Sequence, residues 1–354
     1  MFTAVARPLF LLPGGYMKLG RYAACAALLS CSYAHADSGV TLYGIVDEFF
    51  QYVNTGNHYT AAVGSSSEWA SRFGLKGSED IGGGNKVNFQ LENGFNPNNG
   101  TFASTGQMFN RQAWVGLSGN WGEVRLGRQN SPVFYDQGYL DAFGASTQAS
   151  GFSNLMTYVV RTSNTVSYQS PVIAGLQAGV YAGFGDAGGL RSAGSSYQAD
   201  LQYNSGPIAA TVAWQAVKNA SNSSTDTAVE AGASYTIQKA TIYAGYAASR
   251  WTDINLNVDV YGISGKYQFT PSVFVALGYT ALHDKTAAAD NANQIAAMAQ
   301  YDLSKNTSVY GTISYLTNHN QASYTLAGSA NPGLPLAYPG ANPHGISIGM
   351  FHKF

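Results

Sequence analysis

The sequence predicts an all-β protein whose antiparallel strands close into a transmembrane barrel, and three observations predict it. Apolar and polar residues alternate with a period of two from residue 40 to the end of the chain, the mark of strands with two unlike faces. Tight connections rich in Gly, Asn and Pro take turns with long polar ones, as in an up-and-down barrel with short turns at one membrane face and long loops at the other. Charge is scarce: 18 Lys and Arg plus 19 Asp and Glu make up 10% of 354 residues, whereas soluble domains carry about 25%.

Other classes fail on composition. No run of about 18 apolar residues occurs, which excludes a bundle of membrane helices. Aromatic residues at 13% are too abundant for a disordered chain. A net charge of −1 without a basic cluster argues against a nucleic-acid partner. A secreted soluble sandwich would place Lys and Glu on its outward faces. Here the outward candidates are Val, Leu, Ile, Phe, Tyr and Ala, which would aggregate in water and suit lipid. A closed barrel also pairs every backbone donor and acceptor and leaves no edge strand.

Residues 1–36 read as a signal peptide outside the fold. Lys18 and Arg21 supply a basic start, residues 22–32 are mostly small and apolar, and Ala34-His35-Ala36 is an A-x-A cleavage site. The length is normal if translation begins at Met17, with 1–16 an upstream start or an extended leader. Cys31 leaves open a lipoprotein reading, but the A-x-A site is cleaner. Cys25 and Cys31 are the only cysteines, so the mature chain 37–354 has none and its rigidity must come from elsewhere. Loss of Arg7, Lys18 and Arg21 leaves 15 basic and 19 acidic residues, a net charge of −4.

Within 37–354, alternation is clear at 87–92, 212–217, 310–315 and 346–350. Short connections fall at 80–84, 119–122, 204–207, 270–272 and 304–307. Long ones fall at 54–67, 96–105, 130–156, 185–195, 219–226, 284–291 and 318–342. About 16 strand-like segments result, or roughly 20 residues per strand and connection, against the roughly 9–11 that a spanning strand needs. A barrel of that size encloses an aqueous lumen.

Catalytic motifs fail on context. Residues 345–349 fit G-x-S-x-G, but a strand continues where a nucleophile elbow needs a helix. Residues 183–188 fit G-x-G-x-x-G, but an Ala/Gly/Ser loop follows instead of a helix. His58, His283, His319, His344 and His352 lack a second His or Cys at metal-ligand spacing. No enzyme activity, cofactor or metal is expected.

Function should lie with the inward charges. Phe73 and Leu75 read outward, which turns Arg72 and Lys76 inward; Val160 and Val166 likewise turn Arg161 inward. Lys86 alternates with Val87 and Phe89, and Arg125 lies between Val124 and Leu126, so both point in. Arg128 shares the parity of Val124 and Leu126 and points inward only if a bulge shifts the register. Arg111 is ambiguous in phase. The segment 130–156 carries Asp136 and Asp141 and no basic residue. If it folds inward, its acids would face the wall arginines across a narrow waist, with a mild anion preference.

Several segments resemble the Gram-negative general porins, above all their neisserial and betaproteobacterial branch. VTLYGIVD at 40–47 and ASRFGLKGSEDIGGG at 70–84 resemble the first and second strands of that family. FNRQAWVGL at 109–117, GEVRLGRQ at 122–129 and RTSNTVSY at 161–168 resemble its fourth strand, its fifth strand and the strand after its constriction loop. FHKF at 351–354 resembles its terminal assembly signal, with Phe354 as the final residue. The resemblance implies a homotrimer of 16-stranded barrels in outer-membrane lipid and lipopolysaccharide, assembled by the barrel-assembly machinery through the last strand. It implies an inward third loop at 130–156 and a basic wall matched at Arg72, Arg128 and Arg161, with Arg111 less certain. It also implies passive diffusion of ions and small hydrophilic solutes. The third loop departs from the family's acidic pattern, which leaves the roles of Asp136 and Asp141 open. The rival readings are a substrate-specific channel of the same fold, which Tyr135 and Tyr139 leave open, and a barrel that serves as adhesin or enzyme.

Overall fold

The computed structural model describes residues 39–144, 146–185, 189 and 191–354. The expected leader over 1–36 lies outside them. The first seven strands are β1 (Gly39–Asn54), β2 (Tyr59–Ser65), β3 (Arg72–Gly82), β4 (Asn85–Asn96), β5 (Thr101–Phe102), β6 (Gln112–Gly119) and β7 (Gly122–Asn130). The third loop follows, with short helices α1 (Pro132–Asp136) and α2 (Gly151–Leu155). Then come β8 (Arg161–Gln169), β9 (Leu176–Phe184), β10 (Ser195–Ser205), β11 (Ile208–Lys218), β12 (Thr225–Ile237) and β13 (Ala240–Trp251). The last five are β14 (Leu256–Thr270), β15 (Val273–Asp284), β16 (Ala292–Asp302), β17 (Thr307–Asn318) and β18 (His344–Lys353).

These 18 segments make 16 staves. The β5 segment is a two-residue arm of the second loop, paired with Phe95 and Asn96. Strands β2 and β3 are one stave in two pieces: β2 pairs with Glu48–Asn54 of β1, and β3 with Gly39–Ile45. The ring closes where β1 pairs with β18, from Ile45 opposite Lys353 to Asn54 opposite His344. Beyond β18, the amides of Gly44 and Phe354 each donate to the other's carbonyl at 3.0 Å. Every named strand pair is antiparallel, so the expected 16-stranded antiparallel barrel is borne out.

The two faces of the wall follow the alternation. On β14, Ile263 is 60% exposed on the outside, whereas its neighbour Ser264 is buried on the inside. Leu277, Ile313 and Ile348 repeat the outward apolar pattern on β15, β17 and β18. Aromatic side chains sit near both ends of this band, as Tyr261, Tyr279 and Tyr315 on the long-loop side and Tyr267 and Tyr301 on the short-turn side. That is the girdled lipid face of an outer-membrane barrel.

The apolar core lies inside the barrel, where the third loop packs against the wall. Val133, Leu140, Phe152 and Leu155 of the loop are buried with Ala213, Ala247, Val258 and Val260 of the strands. Glycine makes this approach possible. A Cβ at Gly262 would lie 2.5 Å from the Phe152 ring, and one at Gly245 would lie 2.7 Å from it. Polar ties add register: Ser264 Oγ accepts from the Ala142 amide at 2.9 Å, and Asn154 donates to Gln294 at 2.7 Å.

One feature differs from the expected loop at 54–67. Residues 59–65 form β2, because Tyr59, Ala61 and Val63 alternate outward. The break follows at 66–71 and turns inward. The buried carboxylate of Asp47 holds it there, accepting from the amides of Glu68 (2.8 Å) and Trp69 (2.6 Å) and from the Tyr310 hydroxyl (2.6 Å).

Candidate functional site

The third loop and the inward break narrow the lumen to a cavity of about 620 Å³. On one wall, Arg72 of β3, Glu92 of β4 and Arg111, just before β6, stand side by side. Glu92 pairs with Arg111 at 2.7 Å and with Arg72 at 3.3 Å. The Tyr43 hydroxyl donates to the same carboxylate at 2.8 Å and accepts from Gln90 at 2.6 Å. The Trp69 ring lies under the Arg72 guanidinium, 5.9 Å from centre to Cζ. The rest of the lining comes from Glu68 of the inward break, from Phe134, Tyr135 and Phe143 of the loop, and from Lys266, Phe274 and Met298 of β14, β15 and β16.

The basic residues singled out from the sequence scatter along the pore axis. Arg72 and Arg111 line the cavity. Arg161 lies beside it, with its guanidinium 5.3 Å from the Phe134 ring and its Nε without a hydrogen-bond partner among the described residues. Arg125 lies nearer the short turns, in a second cavity of about 400 Å³ shared with Lys76. It pairs with Glu123 at 2.6 Å and stacks 4.3 Å from the Trp114 ring. Lys86 is exposed beside the turn that joins β3 and β4. Arg128 stays outside the cavity lining. The register irregularity is on the partner strand β8, where Thr162 and Thr165 oppose Gln129 and Gly127, so Arg128 keeps the parity of Val124 and Leu126. Its Nε donates to the Asn110 carbonyl at 2.8 Å and its Nη1 to Ser163 Oγ at 2.7 Å.

Asp136 does not face the arginines, and here the expectation is corrected. Asp136 is fully buried against the wall, where its carboxylate accepts from Gln202 of β10 at 2.6 Å and from Thr211 of β11. Burial pushes its carboxyl up to about 7, and Asp200 adds to the rise against the hydrogen bonds from Thr211 and Gln202. Asp141 turns back into its own loop, accepting from Ser150 Oγ at 2.6 Å and from the Phe143 amide at 3.0 Å. The reason is local: α1 lies on β10 and β11 with its C-terminal end toward their polar inner face. The two acids therefore fasten the loop. Tyr135 reaches the cavity, whereas the Tyr139 hydroxyl meets Asn204 of β10 at 2.8 Å.

Two site residues were missed. Glu92 belongs to the alternating run 87–92, and its parity with Lys86 marks it as inward. Lys266 lies between the outward Gly265 and Tyr267, so the same rule finds it. Phe354 is placed at the seam between β18 and β1, with its ring over Gly44, where a Cβ would be 2.3 Å away.

A closed 16-stave barrel with an apolar girdled exterior, a polar interior and a loop-narrowed waist defines a diffusion channel of the outer membrane. Residues 23–321 match the family model described as Gram-negative porin, and the chain belongs to that family. It is similar to outer membrane porin protein 32 of Delftia acidovorans, at 31% identity over 94% of this chain and 98% of that one. It is also similar to the major outer membrane protein P.IB of Neisseria meningitidis serogroup B, at 27% identity over 84% of this chain and 94% of that one. Among solved structures, the anion-selective porin from Comamonas acidovorans superposes with a TM-score of 0.72 and 28% identity, over 90% of this chain and all of that one. The protein is an outer-membrane porin, in a family of channels rather than enzymes.

Proposed function

We propose that the barrel is a general diffusion pore for ions and small hydrophilic solutes with a mild preference for anions. The observation that carries this reading is the charge at the waist: Arg72, Arg111 and Lys266 line it and Arg161 lies beside it, against two carboxylates, Glu68 and Glu92, the latter shared by two of the arginines. In a narrow lumen with low-dielectric walls, uncompensated positive charge raises the local anion concentration. The similar Comamonas protein is itself described as anion-selective.

The same reading assigns the remaining expectations. Cleavage follows Ala36 and leaves the mature barrel 37–354. The last strand, ending at Phe354, is what the assembly machinery recognises. The working unit is a homotrimer seated among lipid and lipopolysaccharide, with one pore per protomer. The test is reconstitution in a planar bilayer. Stepwise conductance is expected, and replacing Arg72 and Arg161 by Gln should lower the chloride-to-potassium permeability ratio. A ratio unchanged by both substitutions would remove these side chains from the selectivity filter.

A further inference from the structure

The waist has a second basic wall that Glu92 does not reach. Lys266 projects into the cavity from β14, across the lumen from the arginine row. Its ammonium lies 5.4 Å from the centre of the Phe274 ring, and it has no hydrogen bond or ion pair among the described residues. Phe274, Met298 and Phe143 line the same cavity and belong to one apolar cluster. Phe143 is fixed in place by close contact with Gly278, where a Cβ would lie 2.7 Å from its ring. An ammonium on an apolar, aromatic shelf offers an inorganic anion charge alone. It offers more to an anion with a flat apolar body, because the carboxylate can pair with Lys266 while the ring packs on Phe274 and Met298. The cavity of about 620 Å³ lies within the roughly 300–1,000 Å³ that accommodates organic ligands.

We propose that the waist contains a binding subsite for aromatic carboxylates, with the carboxylate on Lys266 and the ring on Phe274, Met298 and Phe143. The proposal rests on the reading of the barrel as an open pore. The test is single-channel recording in KCl with added sodium benzoate, and with sodium acetate as the anion that lacks a ring. Benzoate is expected to reduce the chloride current saturably, at half-blocking concentrations roughly tenfold below those of acetate. Phe274→Leu, which keeps apolar bulk and removes the ring, should raise the benzoate value roughly fivefold and leave acetate unmoved. Lys266→Gln should abolish saturation. Lys305→Gln, in the exposed turn before β17, should change neither. If benzoate and acetate lower the current only in proportion to their mobilities, or if Phe274→Leu shifts both alike, the subsite is refuted while the pore stands. Absence of any KCl current would overturn the pore and the subsite together.

Discussion

At Glu92 one buried carboxylate serves two guanidiniums and a phenol, so it sets how much of the arginine charge reaches the lumen. Glu92→Gln should keep the hydrogen bond from Tyr43 and add one positive charge to the waist. The chloride-to-potassium permeability ratio should rise by roughly fivefold, the effect of one charge about 4 Å from the path at the dielectric constant of water. A ratio that stays level or falls would mean that permeating ions do not pass this wall. Much of the wall was legible from phase alone: Arg72 beside outward Phe73 and Leu75 points inward, as alternation requires. Phase also marks Glu92 and Lys266 as inward. Arg111 was not legible, because both faces of residues 111–117 carry apolar side chains and its direction is set by the ion pair with Glu92.

The third loop is an element held from behind, and two predictions belong to it. Asp136 is buried between α1, β10 and β11, near Asp200 and Glu230 of the wall. Its carboxyl is raised in the docked loop, so docking is favoured in full below the ordinary carboxylate range and weakens as pH rises through about 7. Open-channel noise should therefore increase between pH 5 and pH 8.5, and Asp136→Asn should flatten that dependence. Noise that falls with pH would contradict the assignment. The final loop straps the third from above. The Ala327 amide donates to Asn154 at 2.9 Å, Gln148 donates to the Leu326 carbonyl at 3.3 Å, and the Ser329 amide donates to the Ser67 carbonyl at 2.7 Å. Replacing residues 325–332 by a short Gly/Ser turn should raise conductance and noise together; an unchanged current would show that the strap bears on neither. The existence of both loops was legible from their length and polarity. The direction of the loop acids was not, because it depends on which staves the loop meets. Nor was the inward break at 66–71, whose Ser-rich sequence reads as an ordinary loop and whose anchor, Asp47, lies on another strand.

For the whole molecule, the low charge, abundant aromatic residues and near-neutral hydropathy have one cause, a wall with lipid on one side and water on the other. Closure of that wall depends on a seam where β1 meets β18 and Phe354 covers Gly44. Gly44→Val should drive a branched side chain into the Phe354 ring and lower the heat resistance of the folded barrel, read as earlier loss of the folded band in seminative electrophoresis. Equal heat resistance would show that the seam tolerates the bulk. The strand count was legible because spanning strands and their connections divide the chain evenly. The joining of β2 and β3 into one stave was not, since it needs the pairing of both with β1. The central claim is that net positive charge at the waist selects among permeating ions, and it is tested most directly by the reversal potential of the wild-type channel across a KCl gradient. A potential displaced toward the chloride equilibrium value is predicted. A potential displaced toward that of potassium would contradict the account.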